Sequence, residues 1–162
     1  MADDYRVGTA FDAHRLVVGR PLILGGVAIE STVGLDGHSD ADIVCHALID
    51  ALLGAAGLGD IGRMFPGTAE WKDARSTDLL ALAWARVRAE GYLLANADCV
   101  VVAQTIRIAP HADAMRERIA VILEVDATRI SVRGTTTDLL GFTGRGEGAI
   151  AQAVVLLRRP SA

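Results

Sequence analysis

No stretch of the sequence reaches the roughly 18 consecutive apolar residues that a membrane helix needs. The best candidate, residues 41–58, is interrupted by Asp42, His46 and Asp50, so no membrane partner is expected. Cysteine is scarce. Cys45 and Cys99 each sit in an apolar run, outside any paired metal-binding spacing, which reads as buried free thiols in a reducing compartment. Positive charge is in short supply too: the net charge is −4, which offers no basic surface to a nucleic acid or an anionic membrane. No basic signal segment precedes the first strand-like run, and the expected location is the cytoplasm. Linkers and internal repeats are also missing, so the 162 residues are expected to form one domain, 1–162, large enough for a real core.

Apolar side chains are what the chain has in excess. They make up 51% of it, and the mean hydropathy is +0.34. Such an excess without a membrane span predicts burial between subunits, hence an oligomer.

Residues 5–14 read as a strand ending in polar side chains, and Leu22–Leu24 with Val27–Ile29 as a hairpin around Gly25-Gly26. Ser39 is expected to cap a helix running to about Gly57, with Asp42 three residues on in the manner of a capping box. Residues 59–75 are turn-rich and read as an exposed loop. Further helices are expected over 76–90, closed by Gly91, and from Pro110 to Glu124. Strands are expected over 97–104, 130–133 and 149–158. The predicted fold class is α/β, a mixed sheet with helices packed on one face.

Three clusters can carry chemistry. In Asp12-Ala13-His14 the two polar residues stand i and i+2 on a strand, so they project to one face and could fill two positions of a zinc site. Asp-x-His also arises by chance. His46 strengthens the case, because Asp42, His46 and Asp50 follow at i, i+4 and i+8 along one side of an apolar helix. For Asp50 a stripe facing water is an equal reading. Gly37-His38-Ser39-Asp40 stands where that helix begins, where free amides attract anions; Ser39 serves equally as a simple cap. In Gly134-Thr135-Thr136-Thr137-Asp138 the threonines either extend a strand or grip a diphosphate, with Asp138 offering oxygen to a hard cation. The glycine-rich segment 141–148 lacks the Gly-Lys-Ser/Thr ending of a phosphate-binding P-loop and reads equally as a turn.

Six motifs in order now become informative together: Phe11-Asp12-x-His14, Gly37-His38-Ser39-Asp40-x-Asp42, residues 46–55, Gly57-Leu58-Gly59-Asp60-Ile61-Gly62, Thr135-Thr136-Thr137, and residues 141–148. The chain resembles the 2-C-methyl-D-erythritol 2,4-cyclodiphosphate synthase family over essentially its whole length. The resemblance implies a homotrimer with active sites between subunits and a small-molecule cytidine diphosphate substrate. It implies Zn2+ held by Asp12, His14 and His46, and a second cation, Mg2+ or Mn2+, at Asp138. His38 and Thr136 would stabilise the transition state. Substrate would be held by Asp12, Ala13, His14, His38, Ser39, Asp60, Ile61, Gly62, Phe65, Ala103, Arg107, Ile108, Thr135, Thr136, Thr137, Asp138, Phe142 and Arg145. This chain departs from the family pattern at Gly67 and Ala69, where two acids are usual, at Ile106-Arg107, where Pro-Lys is usual, and at Asp138, where Glu is usual.

Overall fold

A computed structural model describes residues 4–161. The first strand, β1, spans Asp4–Val18, and β2 (Leu22–Leu24) and β3 (Val27–Ile29) form the predicted hairpin. Then come β4 (Val33–Leu35), α1 (Ile43–Ala56), α2 (Ile61–Met64), α3 (Ser76–Ala89), β5 (Leu93–Val102), α4 (Ala112–Ile122), β6 (Ile130–Thr135), α5 (Gly141–Gly144) and β7 (Gly148–Arg159). Five strands make one mixed sheet in the order β4-β1-β7-β5-β6. The β5–β6 pair is parallel and the other pairs are antiparallel.

Alternation decides which face of the sheet is covered. Along β1, Gly8, Ala10, Asp12 and His14 point inward, whereas Tyr5, Val7, Thr9, Phe11 and Ala13 are exposed. α1 lies on the inward face across β1 and β7. Small residues let it come close: Ala149, Ala151 and Ala153 of β7 are fully buried, and a Cβ on Gly8 would stand 1.9 Å from the Ala51 carbonyl oxygen. α3 packs on the outer side of α1 and α4 packs on β6. α1 is therefore buried nearly all round, and its sequence is apolar nearly all round. The helices do sit on one face. The opposite face is bare of them, with Val7 69% and Phe11 70% exposed. The apolar excess thus has two destinations, a helix packed on two sides and an open sheet face. No helix among the described residues is long and apolar enough to cross a membrane.

Several boundaries differ from expectation. α1 is capped by Asp42, not Ser39. The Asp42 carboxylate accepts from the amides of Val44 and Cys45, each at 3.1 Å, and from those of Gly25 (2.9 Å) and Gly26 (2.7 Å) in the hairpin. Four amides need the lone pairs of a carboxylate, and a serine hydroxyl could not serve them all. Burial pushes the Asp42 carboxyl upward, and these bonds oppose that push. β5 starts at Leu93, earlier than expected, because β7 is long enough to pair with it. α4 starts after a short 3-10 turn over Ala109–His111 that takes up Pro110. The 59–75 loop contains α2 and a 3-10 turn at Ala69–Trp71, pinned by the edge-on packing of Phe65 on Trp71 at 5.0 Å. Both cysteines are free and buried, and burial pushes the Cys99 thiol up to about 12.

The contact at Gly8 generates a prediction. Gly8→Ala forces a methyl group against main chain that cannot rotate away, and should cost about 1–3 kcal/mol of stability. A lower urea midpoint at unchanged slope would register the loss; a midpoint equal to the parent's would mean α1 lifts off β1 freely.

Candidate active site

β1 and α1 bring the three expected ligands together. Asp12 Oδ2 lies 2.9 Å from His46 Nδ1 and 3.0 Å from His14 Nε2, and one donor atom from each residue falls within 4.8 Å of the others. In a tetrahedral zinc site with bonds of 2.0–2.1 Å, ligand atoms stand about 3.3 Å apart. The two distances from Asp12 fall a few tenths of an ångström short of that spacing. Burial raises the Asp12 carboxyl, but hydrogen bonds and charge from His14 and His46 outweigh it and hold Asp12 well below the usual carboxylate range. The hydrogen bond to Asp12 raises His14 above its ordinary value, with burial opposing.

The outward nitrogens of the two rings are anchored as well. His14 Nδ1 faces the Asp36 carbonyl oxygen, which can only accept, so Nδ1 carries a proton and Nε2 is the nitrogen that would give its lone pair inward once a cation displaced the proton it shares with Asp12. His46 Nε2 lies 2.9 Å from Ser76 Oγ and 3.0 Å from Ser39 Oγ. A metal-ligating histidine commonly shows such a partner on its second nitrogen. The donor set therefore fits a divalent cation that takes nitrogen and oxygen ligands.

The rest of the Asp42, His46 and Asp50 row is structural. Asp42 caps α1, and Asp50 accepts the amide of Ile61 at 2.6 Å and so anchors α2. His38 is exposed, and its Nε2 donates to the Thr68 carbonyl at 2.9 Å. Ser39 is buried, its hydroxyl turned toward His46 and accepting the amide of Ala41 at 3.2 Å. Asp60 caps α2 through the amide of Arg63 at 2.8 Å; Ile61 and Gly62 lie in its first turn, and Phe65 closes it.

A second locus lies at the β5 and β6 ends. Ala103, Arg107, Ile108, Thr135 and Thr136 line a cavity of about 660 Å³ bounded also by Gly134. A Cβ on Gly134 would meet Ile108 Cβ at 2.7 Å, so only glycine lets the two walls approach this closely. Beyond it, Thr136 Oγ1 is 3.3 Å from Asp138 Oδ1, while Thr137 spends its hydroxyl on Leu140 and Thr143 within the turn. Asp138 and Leu139 both hold positive φ, at 50° and 66°, a conformation that non-glycine residues adopt at a cost. Phe142 lies in α5 and is 40% exposed, and Arg145 pairs with Glu147 at 2.6 Å.

Residues 5–158 match the profile of the YgbB family. The chain belongs to that family. A curated relative, 2-C-methyl-D-erythritol 2,4-cyclodiphosphate synthase of Geobacillus kaustophilus, is 56% identical over 156 residues, covering 96% of this chain and 99% of the relative. Among solved structures, the bifunctional IspDF from Campylobacter jejuni superposes with a TM-score of 0.95 at 43% identity, covering 99% of this chain and 44% of that one. The Plasmodium falciparum IspF, solved as a CDP complex, superposes at 0.88 with 32% identity, covering 99% and 100%.

Reading this YgbB chain from sequence left out Arg20, Asp36 and Ser76. Arg20 donates to the carbonyls of Gly37 (3.0 Å) and Ser39 (2.8 Å), holding the loop that carries His38. Ser76 looked only like a helix start, and Asp36 acts through its main chain, for which no side-chain signal exists.

The trio generates a pH prediction. A cation must displace protons from the rings, and a raised pKa keeps the His14 proton on to higher pH. Zinc affinity should therefore fall with acidification, beginning above the ordinary histidine value of 6.5, by up to about tenfold per pH unit for each proton displaced. Competition with a chromophoric chelator at pH 8, 7 and 6 reads this, and affinity that does not change with pH would contradict it.

Proposed function

We propose that this chain converts 4-diphosphocytidyl-2-C-methyl-D-erythritol 2-phosphate into 2-C-methyl-D-erythritol 2,4-cyclodiphosphate and CMP, using Zn2+ at Asp12, His14 and His46 and Mg2+ or Mn2+ at Asp138. The convergence of Asp12, His14 and His46 carries this reading, joined to the relatives' common activity. The 2-phosphate attacks the β-phosphorus of the diphosphate, the bond to the CMP oxygen breaks, and the ring closes. A phosphate monoester loses its second proton near pH 6, so the nucleophile needs no general base and no Ser-His-Asp arrangement.

What remains is positioning and charge. Folding the substrate so that its two ends meet can be worth roughly 7–11 kcal/mol in favourable cases. Divalent cations, when bound, offset charge on the attacking and leaving oxygens. His38 and Thr136 donate hydrogen bonds to oxygens that gain charge. Ala103, Arg107 and Ile108 line the pocket for the cytidine phosphate, and the CDP bound in the Plasmodium relative supports a nucleotide of this kind. Asp60, Ile61 and Gly62 would hold the ribose.

The strand order supports an assembly of copies, which we read as a trimer. Three strand steps, β1 to β7 to β5 to β6, separate the metal trio from Thr135 and Thr136, and at the usual strand spacing that is about 14 Å. A closed site needs the β6 end of one copy beside the β1 of another, and the open apolar sheet face supports such an assembly.

His46→Ala should abolish both zinc binding and CMP release while the circular dichroism spectrum stays that of the parent; retained turnover would refute the metal assignment. Thr136→Val should lower kcat by about 10²–10³, as loss of a donor to developing charge does, with CMP affinity nearly unchanged. A loss confined to affinity would remove Thr136 from the transition state. Linear phosphates in place of the cyclic product would instead indicate a zinc phosphodiesterase. Light scattering should give three times the protomer mass.

A further inference from the structure

His46 is the one member of the trio whose outward nitrogen meets hydroxyl groups, which can either donate or accept. What decides between the two lies one residue further out. Asp40 Oδ1 accepts from the Ser76 hydroxyl, and Asp40 Oδ2 accepts the Ser76 amide at 3.1 Å. A serine hydroxyl has a single proton. Once the carboxylate takes it, Ser76 Oγ shows only lone pairs to His46 Nε2 at 2.9 Å, and two acceptors at that distance repel unless Nε2 supplies a proton. Ser39 Oγ also stands 3.0 Å from Nε2, but a proton given there would leave Ser76 Oγ facing Nε2 with none between them; a proton on Nε2 serves both oxygens, and the Ser39 proton can then go to Ser76 Oγ at 3.3 Å.

We propose that Asp40 and Ser76 act as positioning residues, a relay that keeps the proton of His46 on Nε2 and presents the Nδ1 lone pair to the cation beside Asp12. The same polarity holds at His14 through the Asp36 carbonyl. Three lone-pair carriers then converge, an arrangement that is favourable only when a positive charge lies among them. Ser76 is fully buried, so no water can replace its oxygen without rearrangement. This inference rests on reading the trio as a metal site.

Asp40→Asn is the sharpest test. Its amide oxygen can still accept the Ser76 main-chain N–H, but its NH2 group then faces Ser76 Oγ, turns the hydroxyl proton toward His46 Nε2 and favours the wrong tautomer. Zinc affinity should fall about 10–100-fold, the usual range for such outer partners, in both Asp40→Asn and Ser76→Ala, with the metal-free proteins melting close to the parent. Parent-like affinity in Asp40→Asn would show that Asp40 merely caps α3 and would overturn the relay. Should a variant fail to fold, nitrogen-15 NMR of the zinc-loaded parent decides: a slowly exchanging His46 Nε2–H beside Ser76 is expected, and a rapidly exchanging one overturns the proposal. A parent that binds no zinc at all would instead sink the metal reading itself.

Discussion

One carboxylate facing two imidazoles sets the terms for the rest of the molecule. Asp12 is partly buried with both rings about 3 Å away, and burying such a charge without partners would be costly. The rings can serve it only if β1 and α1 stay at a fixed, short separation. That separation comes from the absence of side chain: glycine at position 8, and alanines at 149, 151 and 153 beneath the helix. Bulkier residues there would bury more apolar surface and move His46 away from Asp12. Packing and chemistry make the same demand of these positions.

The helix carrying His46 is also held at both ends by buried or half-buried carboxylates. Asp42 ties its first turn to the β2–β3 hairpin through the amides of Gly25 and Gly26. Asp50 ties its last turns to α2 through Ile61, and so links the metal trio to the 60–62 segment. Three polar residues at helical spacing thus do three jobs. Two orient the helix and one faces the site, and spacing alone could not say which.

That division marks how far the sequence could be read. Strand alternation placed Asp12 and His14 on one face, and the family motifs added His46, all before any coordinates. The hairpin at Gly25-Gly26 and the helix end at Gly57 were legible because glycine with positive φ leaves a local signature. The cap of α1 was misplaced, since Ser39 looks as good locally and only the distant hairpin amides make Asp42 better. β4 and α5 were missed because three or four residues are too few to show a period. The roles of Ser76 and Asp40 escaped notice for another reason. Ser76 lies 30 residues from His46, and its role depends on which atom holds a proton, which no residue pattern encodes.

The sheet's own register sets the two halves of the proposed site apart within one copy. Ala13 of β1 pairs with Ile150, Ile150 with Val102, and Val102 with Thr135, so the trio and the threonine cluster stand at the same end of the sheet and at nearly the same height. Lateral distance separates their main chains, and the Thr135 side chain shares the face of Ala13. A rotation about an axis roughly along the strands preserves height while bringing the β6 edge of one copy toward the β1 side of the next, which a screw or an inversion of strand direction would not do. The exposed row of Val7, Phe11 and Val154 lies on the face such a rotation would turn inward. In the proposed assembly, closed cyclic symmetry would hide the apolar surface and join the two halves of the site in one step, so that oligomer stability and catalysis would depend on the same face.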